Sequence, residues 1–406
     1  MSVLSGKKIL LGISGGIAAY KTATLVRLFI KAGAHVQVIM TPASKDFITP
    51  LTLSTLSKNP VYSGFYNQED ENGKWNNHVE LALWADMMVI APATANTLSK
   101  MTNGTCDNLL IAVYLSAKCP VYFAPAMDLD MYIHPSTLDS FKKLEQFGNT
   151  MIPAESGELA SGLSGEGRMA EPENIVAFIE ADLESRLPLK GQKILITAGP
   201  TYEAIDPVRF IGNHSSGKMG FDIALSAANL GASVILVSGP THCKVSNPLI
   251  KVVSVVSAEE MYIACHQFYA DVDVAIAAAA VADYRPKNVA QQKIKKAADD
   301  FVIELEKTKD ILASLGEQKK NQFLIGFALE TENEIENAKL KIQKKNLDLI
   351  VLNSLQDQGA GFSKPTNKVT FIDKFFNIEP MELKTKEAVA DDILNKVISH
   401  FGILQS

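Results

Sequence analysis

The sequence is poor in cysteine and histidine, with four and seven of them among 406 residues. The cysteines, Cys106, Cys119, Cys243 and Cys265, lie far apart and form no CxxC pair. No histidine has metal-ligand spacing to a cysteine or to another histidine. This distribution argues against a zinc site, and it indicates a cytoplasmic chain with reduced thiols.

Long apolar segments are also absent from the sequence. No window offers the roughly 20 apolar residues that span a bilayer, and glycine breaks the N-terminal apolar stretch too early for a signal peptide. The net charge of −6 is mild and gives no reason to expect nucleic acid as a partner. We therefore expect neither a membrane nor a nucleic acid among the partners.

The sequence does contain a regular alternation of short apolar runs and amphipathic segments. In the first half, strands are predicted over residues 7–11, 35–40, 87–91 and 121–124, and helices over 18–31, 95–101 and 136–147. In the second half, strands are predicted over 193–197, 234–238, 272–281, 323–328 and 347–352, and helices over 219–230, 258–269 and 332–345. Near-continuous apolar strands separated by helices indicate parallel sheets covered on both faces.

The chain is long for one hydrophobic core, and its 47% apolar and 21% charged residues are ordinary for globular proteins. A strand followed by glycine opens each half, near Lys7 and near Gln192, and Pro188 interrupts helical continuity between them. We predict an α/β fold of two doubly wound, Rossmann-like domains with mainly parallel sheets, residues 1–187 and 191–406, joined by a linker over 184–191.

A glycine-rich turn, GISGGIAAYK from Gly12 to Lys21, follows the first predicted strand and opens a helix. Glycines let the backbone approach a phosphate, and free N–H groups with the helix dipole stabilise its charge. A plain tight turn is the alternative, and the spacing departs from GxGxxG, which disfavours NAD. The segments 91–97 and 124–132 end two further strands and should line the same crevice, because ligands bind at the carboxyl ends of strands in open α/β sheets.

Over residues 7–172 these motifs resemble the phosphopantothenoylcysteine decarboxylases, flavin-dependent cysteine decarboxylases of coenzyme A biosynthesis. The run 78–110, with WAD, IAPATANT and NGTCDNLL, is the most specific part. The resemblance implies a flavoprotein-type fold and FMN as the cofactor. It implies contacts to the flavin from Ser14, Gly15, Gly16, Ile17, Thr41, Ala91, Thr94 and Asn96.

The same resemblance implies the groups that act on the substrate. It makes His78 the active-site base, which suits an imidazole that titrates near neutrality. Without the resemblance, a lone histidine before an apolar run would be interpreted as a surface or helix-start residue. Contacts to the substrate are implied for Met127, Asp128, Met131 and Arg168. The family reaction is an oxidative decarboxylation whose redox chemistry belongs to the flavin.

Two residues depart from the decarboxylase pattern. Asp128 stands where the family has asparagine, and an ionised carboxylate accepts hydrogen bonds only and repels a substrate carboxylate. Ser161 stands where a flexible flap, residues 157–169, carries a cysteine proton donor in the family, and a hydroxyl is far less acidic than a thiol. A ligase with an impaired decarboxylase half therefore stays open. A flavin-bearing assembly or regulatory module also stays open, although the flavin loops and His78 argue against it.

In the second half, GNHSSGK from Gly212 to Lys218 meets most of the P-loop pattern, but Met219 replaces the Ser or Thr that holds magnesium. Residues 196–220 instead resemble the phosphopantothenate–cysteine ligases, and the resemblance covers nearly all of 191–401 through 278–284, 293–296, 325–331 and 345–350. Together the two halves resemble the bifunctional coenzyme A biosynthesis family.

The ligase resemblance implies that CTP activates 4′-phosphopantothenate as an acyl-cytidylate, which L-cysteine then attacks. Residue types alone do not separate cytosine from adenine. The resemblance makes Asn213 and Lys293 catalytic. Contacts to substrate or nucleotide are implied for Arg209, Ala277, Ala278, Ala279, Asp283, Lys293, Thr308, Lys309, Asp310, Ile311, Phe327, Lys341 and Lys345. It also implies a large homo-oligomer in which decarboxylase trimers are linked by ligase dimers, with active sites between subunits.

Two features of the second half have a physical interpretation of their own. Asp283 is predicted to end a buried apolar strand, where a carboxylate needs a partner such as a ribose, a lysine or Mg²⁺. Lys341 and Lys345 lie four residues apart, hence on one helix face. Phosphate contact is one interpretation of these lysines. Solvated lysines that balance the acidic start of the helix are the other.

Overall fold

The computed structural model describes residues 2–66, 75–159, 162, 164–295, 302–330, 332–354 and 366–402. The chain divides into two compact units, Met1–Ser185 and Arg186–Ser406. Each unit contains its own doubly wound sheet. In the described part of the chain, no helix is both long enough and apolar enough to cross a membrane.

The first unit is built on a sheet of six parallel strands. They are β1 (Lys8–Ile13), β2 (His35–Met40), β3 (Val61–Tyr62), β4 (Met87–Ala93), β5 (Val121–Pro125) and β6 (Thr150–Met151). The spatial order β3-β2-β1-β4-β5-β6 reverses direction beside β1. A crevice is expected where the order reverses, at the carboxyl ends of β1 and β4.

Helices cover both faces of this sheet. They are α1 (Thr22–Lys31), α2 (Pro50–Ser57), α3 (His78–Trp84), α4 (Ala95–Asn103), α5 (Leu109–Ser116), α6 (Leu129–Tyr132), α7 (Pro135–Gln146) and α8 (Pro172–Ser185). A hydrophobic core lies on each face of the sheet, and alternate residues of β1 point into different cores. Leu11 packs in one core and Leu10 in the other. This two-sided burial explains why the strands are apolar at nearly every position.

A small antiparallel hairpin precedes α8. Its strands are β7 (Glu155–Glu158) and β8 (Ser164–Arg168). Neither strand has an apolar period, because the sequences ESGE and SGEGR are polar or glycine throughout. The hairpin overlaps the predicted flap, residues 157–169, and Ser161 lies outside the described residues.

Over its described residues, the second unit contains an eight-stranded sheet and three small antiparallel pairs. The strands are β9 (Lys193–Ala198), β10 (Tyr202–Ala204), β11 (Phe210–Gly212), β12 (Ser233–Ser238), β13 (Ile250–Ser254), β14 (Val274–Ala277), β15 (Tyr284–Pro286), β16 (Leu305–Lys307), β17 (Phe323–Glu330), β18 (Leu349–Ser354), β19 (Thr366–Asn367), β20 (Val369–Asp373), β21 (Ile378–Pro380) and β22 (Lys384–Thr385). The order β13-β12-β9-β14-β17-β18-β20-β21 is parallel as far as β18. Its switch point lies between β9 and β14.

Five helices lie in the described part of this unit. They are α9 (Lys218–Asn229), α10 (Ala258–Tyr269), α11 (Ile311–Gln318), α12 (Glu334–Lys344) and α13 (Lys386–His400). Helix α9 crosses close to β9 because Gly220 has no side chain, and a Cβ there would lie 2.6 Å from the Cβ of Ala198. The small pairs are β10–β11, β15–β16 and β19–β22.

The predicted fold class is confirmed, and the differences from prediction are local. Strand β2 and helix α10 have the predicted bounds. The helix predicted over 18–31 begins instead as a 3-10 turn, Ile17–Lys21, before α1. The strand predicted over 272–281 ends at Ala277. Antiparallel β20 and β21 extend the second sheet and were not predicted.

Candidate functional site

The first cavity, of about 510 Å³, lies where four parallel strands of the first unit end. Gly15 follows β1, Thr41 follows β2, Thr94 follows β4 and Met127 follows β5, and all four residues line it. The predicted residues Asn96 and Met131 also line this cavity. The sheet order therefore brings together loops that are far apart in sequence, as expected for strands that end at one edge.

The first cavity offers unpaired hydrogen-bonding groups to a ligand. Helix α4 begins beside it, and Thr94 at the N-cap makes no side-chain capping bond, so the first N–H groups have no partner within the helix. The buried Oγ1 of Thr41 has no hydrogen-bond partner among the described residues. Such groups fit a ligand that carries both an anion and hydrogen-bonding atoms.

The glycine-rich turn closes tightly over the first cavity. A Cβ on Gly15 would lie 2.8 Å from the Cβ of Ala43, so the side-chain-free backbone is required there. Ser14 is buried beneath the turn and does not line the cavity. Its hydroxyl donates to the carbonyl of Pro92 at 2.7 Å and accepts from the N–H of Thr94 at 3.1 Å. The predicted flavin residue Ser14 thus holds the ends of β1 and β4 together.

The other predicted flavin residues lie around these loops. Gly16 and Ile17 line a second cavity, of about 530 Å³. Ala91 is fully buried within β4. Met127 lines both cavities, so the two adjoin.

The second cavity lies between the glycine-rich turn, the loop after β5 and the β7–β8 hairpin. The predicted substrate residues Met127, Asp128 and Arg168 line it together, with Lys21 and Glu158. The carboxylate of Asp128 accepts a hydrogen bond from the N–H of Leu129 at 2.7 Å, at the start of α6. The cavity therefore contains cationic and anionic side chains in close association.

Lys21 is a residue of this site to which the sequence assigned no role. Its side chain is 6% exposed, and Nζ donates to the carbonyl of Met169 at 2.9 Å and to Glu171 Oε1 at 3.0 Å. The guanidinium of Arg168 donates to the same Glu171 oxygen. Lys21 is the last residue of the glycine-rich motif, and this position was the one feature of the sequence that could have indicated a role at the site. It joins the turn to the base of the hairpin.

His78 lies apart from these cavities within one chain. It begins α3, which is capped by the carboxamide of Asn77, and its ring has edge contacts with Phe65 and Trp75, each at 6.4 Å. Its buried Nδ1 has no hydrogen-bond partner in the part of the chain that the structure describes. It lines none of the three cavities, as far as the described residues define them.

The third cavity, of about 500 Å³, lies at the carboxyl ends of β9, β14 and β17 in the second unit. Ten of the predicted residues line it, namely Ala277, Ala279, Asp283, Thr308, Lys309, Asp310, Ile311, Phe327, Lys341 and Lys345. Its charged lining consists of Asp283 and Asp310 with four lysines, Lys307, Lys309, Lys341 and Lys345. This excess of positive charge suits an anionic ligand.

Lys341 and Lys345 point into the molecule rather than into solvent. Lys345 Nζ lies 2.8 Å from Asp310 Oδ2, and Asp310 also caps α11 by accepting from the N–H of Ala313. Burial opposes ionisation of Asp310, but the hydrogen bond from Lys345 holds the pKa of that carboxyl below its usual value. Burial, together with the charge of Lys345, lowers the pKa of Lys341. The interpretation as solvated helix-end lysines is therefore wrong.

Asp283 is exposed, which corrects the expectation that it ends a buried strand. The backbone leaves the sheet after Ala277 because the following residues bond to neighbouring loops. Ala279 N–H donates to Thr197 Oγ1 at 3.1 Å, and Ala282 N–H donates to Thr201 Oγ1 at 2.9 Å. In the described ranges, no group of three or more His, Cys, Asp or Glu side chains could hold a metal.

The remaining predicted ligase residues do not line the third cavity. Asn213 Nδ2 donates to the carbonyl of Val281 at 2.9 Å, on the segment that leads to Asp283. Arg209 is bonded to Asp206 and to the backbone of Ile294, and Lys293 is exposed. Ala278 is also absent from the lining.

The P-loop interpretation of residues 212–218 finds no support in the contacts of Lys218. Its ammonium lies 2.8 Å from both carboxylate oxygens of Asp222 and 3.2 Å from Glu387 Oε1. A P-loop lysine must present its charge to phosphates. Here the charge is committed to two carboxylates of the same unit.

Comparisons with known proteins match the two halves of the chain to two families. Residues 2–184 match the family described as Flavoprotein, and residues 189–401 match the DNA/pantothenate metabolism flavoprotein C-terminal domain. The chain is 43% identical to the coenzyme A biosynthesis bifunctional protein CoaBC of Bacillus subtilis (strain 168), over 97% of each chain. It is 54% identical to a cysteine/cysteine sulfinic acid decarboxylase from an unknown prokaryotic organism, over 87% of this chain and 99% of the relative.

Among solved structures, the C-terminal domain of a coenzyme A biosynthesis bifunctional protein CoaBC is 47% identical, with a TM-score of 0.46. It covers 53% of this chain and 98% of that domain. The full-length relatives and the two family matches confirm the recognition that the sequence motifs supported. The chain belongs to the bifunctional coenzyme A biosynthesis family, with a flavoprotein decarboxylase domain followed by a ligase domain.

Proposed function

We propose that the second unit joins L-cysteine to 4′-phosphopantothenate at the expense of CTP, and that the first unit decarboxylates the conjugate with the help of FMN. The observation that carries this proposal is the third cavity, where ten residues implied by the ligase resemblance converge. Its four lysines and two aspartates suit a nucleoside triphosphate beside an anionic substrate.

The ligase chemistry consists mainly of positioning and charge neutralisation. The carboxylate of 4′-phosphopantothenate attacks the α-phosphate of CTP and pyrophosphate leaves. The amine of cysteine then attacks the acyl carbon and CMP leaves. We assign Lys341 and Lys345 to the phosphates in the cavity, and the exposed Lys293 to the departing pyrophosphate. Asn213 holds the acyl-cytidylate, since a carboxamide both donates and accepts hydrogen bonds.

Mg²⁺ is part of this proposal. The ion is usually held by one or two carboxylates together with substrate phosphates and waters rather than by a cage of protein ligands. The exposed carboxylate of Asp283 at the third cavity fits that mode. The lack of a cluster of three acidic or histidine side chains in the described chain is compatible with it.

We place FMN in the first cavity. The unpartnered hydroxyl of Thr41, the N-terminus of α4 and the tight turn at Gly15 fit a phosphate and a polar ring edge. When bound, FMN would supply the two-electron oxidation of the cysteinyl thiol that allows the neighbouring carboxylate to leave as CO₂. Ser14 holds the loops at the cavity in place from beneath, and Met127 lies between the flavin and the substrate.

The substrate of the first unit is assigned to the second cavity. Arg168 and Lys21 supply positive charge there, and Asp128 and Glu158 supply negative charge. His78 lines neither cavity of its own chain, and its buried Nδ1 finds no partner among the described residues. We therefore propose that a homo-oligomer completes the site, so that His78 of one copy acts at the cavities of another.

Free L-cysteine is a second candidate substrate of the first unit. The conjugate carries an amide nitrogen where free cysteine carries an ammonium group. Asp128, at the second cavity, is an acidic residue that can form an ion pair with an ammonium group, whereas a neutral amide N–H offers it only a hydrogen bond. The relative at 54% identity, a cysteine/cysteine sulfinic acid decarboxylase, supports this candidate.

One comparison separates the two substrates. The full chain is given either L-cysteine or phosphopantothenoylcysteine, and the release of CO₂ is measured for the wild type and for Asp128→Asn. If free cysteine is a substrate, Asp128→Asn lowers its kcat/KM and spares the conjugate. Glu158→Gln, which changes another carboxylate of the same cavity, is the matched control. Absence of CO₂ from cysteine with the wild type would rule this candidate out.

The ligase half is tested by rapid quenching and mass spectrometry of the full chain with CTP and 4′-phosphopantothenate. The wild type should form acyl-cytidylate without cysteine and consume it when cysteine is added. Lys293→Gln should suppress the formation of this intermediate. Asn213→Asp should let it form and then persist, because the new carboxylate repels the anionic intermediate. Accumulation in the lysine variant, or none in the asparagine variant, would contradict these assignments.

A further inference from the structure

A buried carboxylate, Asp206, lies in the turn between β10 and β11. Its side chain is fully buried. Its Oδ1 accepts from the N–H groups of Val208 at 2.8 Å and Arg209 at 2.9 Å. Its Oδ2 accepts from Arg209 Nε at 3.0 Å and from the other arm of the same guanidinium at 2.6 Å. An ionised carboxylate is stable in a buried position only with such donors.

The fifth donor to Asp206 comes from a distant segment. The N–H of Ile294 donates to Asp206 Oδ2 at 3.1 Å, while the carbonyl of Ile294 accepts from Arg209 at 2.7 Å. The backbone N–H and carbonyl of Ile294 are therefore both hydrogen-bonded to the Asp206–Arg209 ion pair. A further backbone bond, from Ala290 N–H to the carbonyl of Ile205 at 3.0 Å, ties the same two segments together.

The residue adjacent to this attachment is Lys293. Its side chain is exposed, and the described residues 291–295 belong to no helix or strand. The turn that contains Asp206 and Arg209 continues into β11, and Asn213 follows β11 directly. The carboxamide of Asn213 donates to the carbonyl of Val281. The two residues assigned to successive halves of the ligase reaction are thus joined through Asp206 and Arg209.

We propose that Asp206 and Arg209 form a positioning pair that orients the Lys293 segment for the formation of the acyl-nucleotide. This inference rests on the proposed ligase function. It also changes the role of Arg209, expected from resemblance to contact substrate. The Nε and one terminal nitrogen of its guanidinium are committed to Asp206 and Ile294. Arg209 therefore acts through Lys293.

The charge state of Asp206 supports this role. Burial raises its pKa, but hydrogen bonds from Val208 and Arg209 outweigh burial and hold the pKa far below the usual value for an aspartate. The carboxylate therefore remains ionised throughout the physiological range, and the attachment is not expected to switch with pH.

The test is a double-mutant cycle on the full chain, with Asp206→Asn and Lys293→Gln alone and together. The rate of acyl-cytidylate formation is measured by rapid quench with CTP and 4′-phosphopantothenate. A misplaced catalytic group commonly costs on the order of a hundredfold, so we expect that loss for Asp206→Asn alone. In the Lys293→Gln background the same change should cost less than about threefold, because the residue through which Asp206 acts is already lost.

A matched control distinguishes positioning from general damage. Asp348 is another buried carboxylate of this unit, and it lies at the amino-terminal ends of β17 and β18. It accepts from the N–H of Leu324 and from Lys319. Asp348→Asn should lower the unfolding temperature without a step-specific loss. If Asp206→Asn does not fold, Arg209→Lys tests the positioning role in its place. It keeps the charge but loses the two-point contact, and it should slow the same step.

Three results would overturn the inference. The first is a wild-type rate of acyl-cytidylate formation in folded Asp206→Asn or in Arg209→Lys. The second is a double variant whose rate loss equals the product of the losses in Asp206→Asn and Lys293→Gln. The third is an equal loss in the rate of this step in Asp348→Asn. A wild type that forms no acyl-cytidylate would overturn the proposed function instead, so the two failures are distinguishable.

Discussion

The ammonium of Lys341 donates a hydrogen bond to the backbone carbonyl of Phe327 at 3.0 Å, within the third cavity. This contact holds a lysine of α12 against the middle of β17, three residues before the strand ends at Glu330. Lys341 is largely buried there, and Lys345 lies nearby on the same helix. The cavity therefore contains a cation that is costly to keep charged without an anionic ligand.

This cost predicts the pH dependence of nucleotide binding. Burial and the charge of Lys345 lower the pKa of Lys341, so its charge is lost at a lower pH than that of an ordinary lysine. We expect KM for CTP to rise as pH increases through that lowered pKa. The measurement is the pH profile of KM from pyrophosphate release. Lys341→Arg should move the rise to higher pH, since arginine stays protonated, and an unchanged profile would contradict the assignment.

The same pKa shift affects stability with the opposite sign. Because the folded state disfavours the protonated form of Lys341, the unfolded state binds more protons, and the unliganded protein gains stability as pH rises through the lowered pKa. Lys341→Met should remove this dependence in the absence of nucleotide. Thermal unfolding across alkaline pH checks this, with Lys339→Met as the control because Lys339 forms an ion pair with the exposed Glu336 and lines none of the cavities described above.

Thr41→Val should separate the stability of the flavin-free protein from its affinity for FMN. The change removes a buried hydroxyl without a partner among the described residues, so the flavin-free protein should gain about 1 kcal/mol in unfolding free energy. FMN affinity should fall, because the hydroxyl would bond to the flavin. Titration with FMN and denaturant unfolding give the two quantities. Thr22→Val, which breaks a bond to the carbonyl of Ala19, should lower stability instead.

Lys21→Met should impair decarboxylation while ligation continues. The change leaves the carbonyl of Met169 and the carboxylate of Glu171 without their shared donor, so the base of the β7–β8 hairpin loses its attachment to the glycine-rich turn. We expect a higher KM for phosphopantothenoylcysteine. Lys143→Met is the control, because Lys143 forms an exposed pair with Asp139, and such pairs contribute at most about 1 kcal/mol. Equal effects of the two changes would contradict this account.

Ser161→Cys should alter the products of decarboxylation, because a thiol donates a proton more readily than a hydroxyl. Slow protonation in the wild type would let the oxidised enethiol product escape, and the variant should raise the fraction of reduced 4′-phosphopantetheine. Mass spectrometry of the products measures that fraction. Complete reduction by the wild type would show that the serine is no handicap.

The strand positions were predictable because both faces of each sheet are buried. Leu10 and Leu11 pack in different cores, so β1 is apolar throughout, and the same holds for most parallel strands. The convergence of strand-end loops followed from topology alone. Polar elements gave no such signal, and the β7–β8 hairpin was not predicted as strands for that reason.

Site residues were harder to predict where a contact depends on the tertiary fold. Asp283 was expected at a strand end, but bonds from the following backbone to Thr197 and Thr201 end β14 six residues earlier. The burial of Lys341 depends on a carbonyl of a separate strand, which no spacing along α12 reveals. Asp206 and Ile294 are 88 residues apart, so their contact left no local pattern.

The most direct test of the central claim uses L-cysteine labelled with ¹³C in the carboxyl group. The full chain is incubated with this cysteine, 4′-phosphopantothenate and CTP, and CMP, ¹³CO₂ and acyl products are measured over time. The account predicts one CMP for each ¹³CO₂, with 4′-phosphopantetheine as the unlabelled product. Label retained in phosphopantothenoylcysteine at the end of the reaction, or ¹³CO₂ released without CMP, would contradict it.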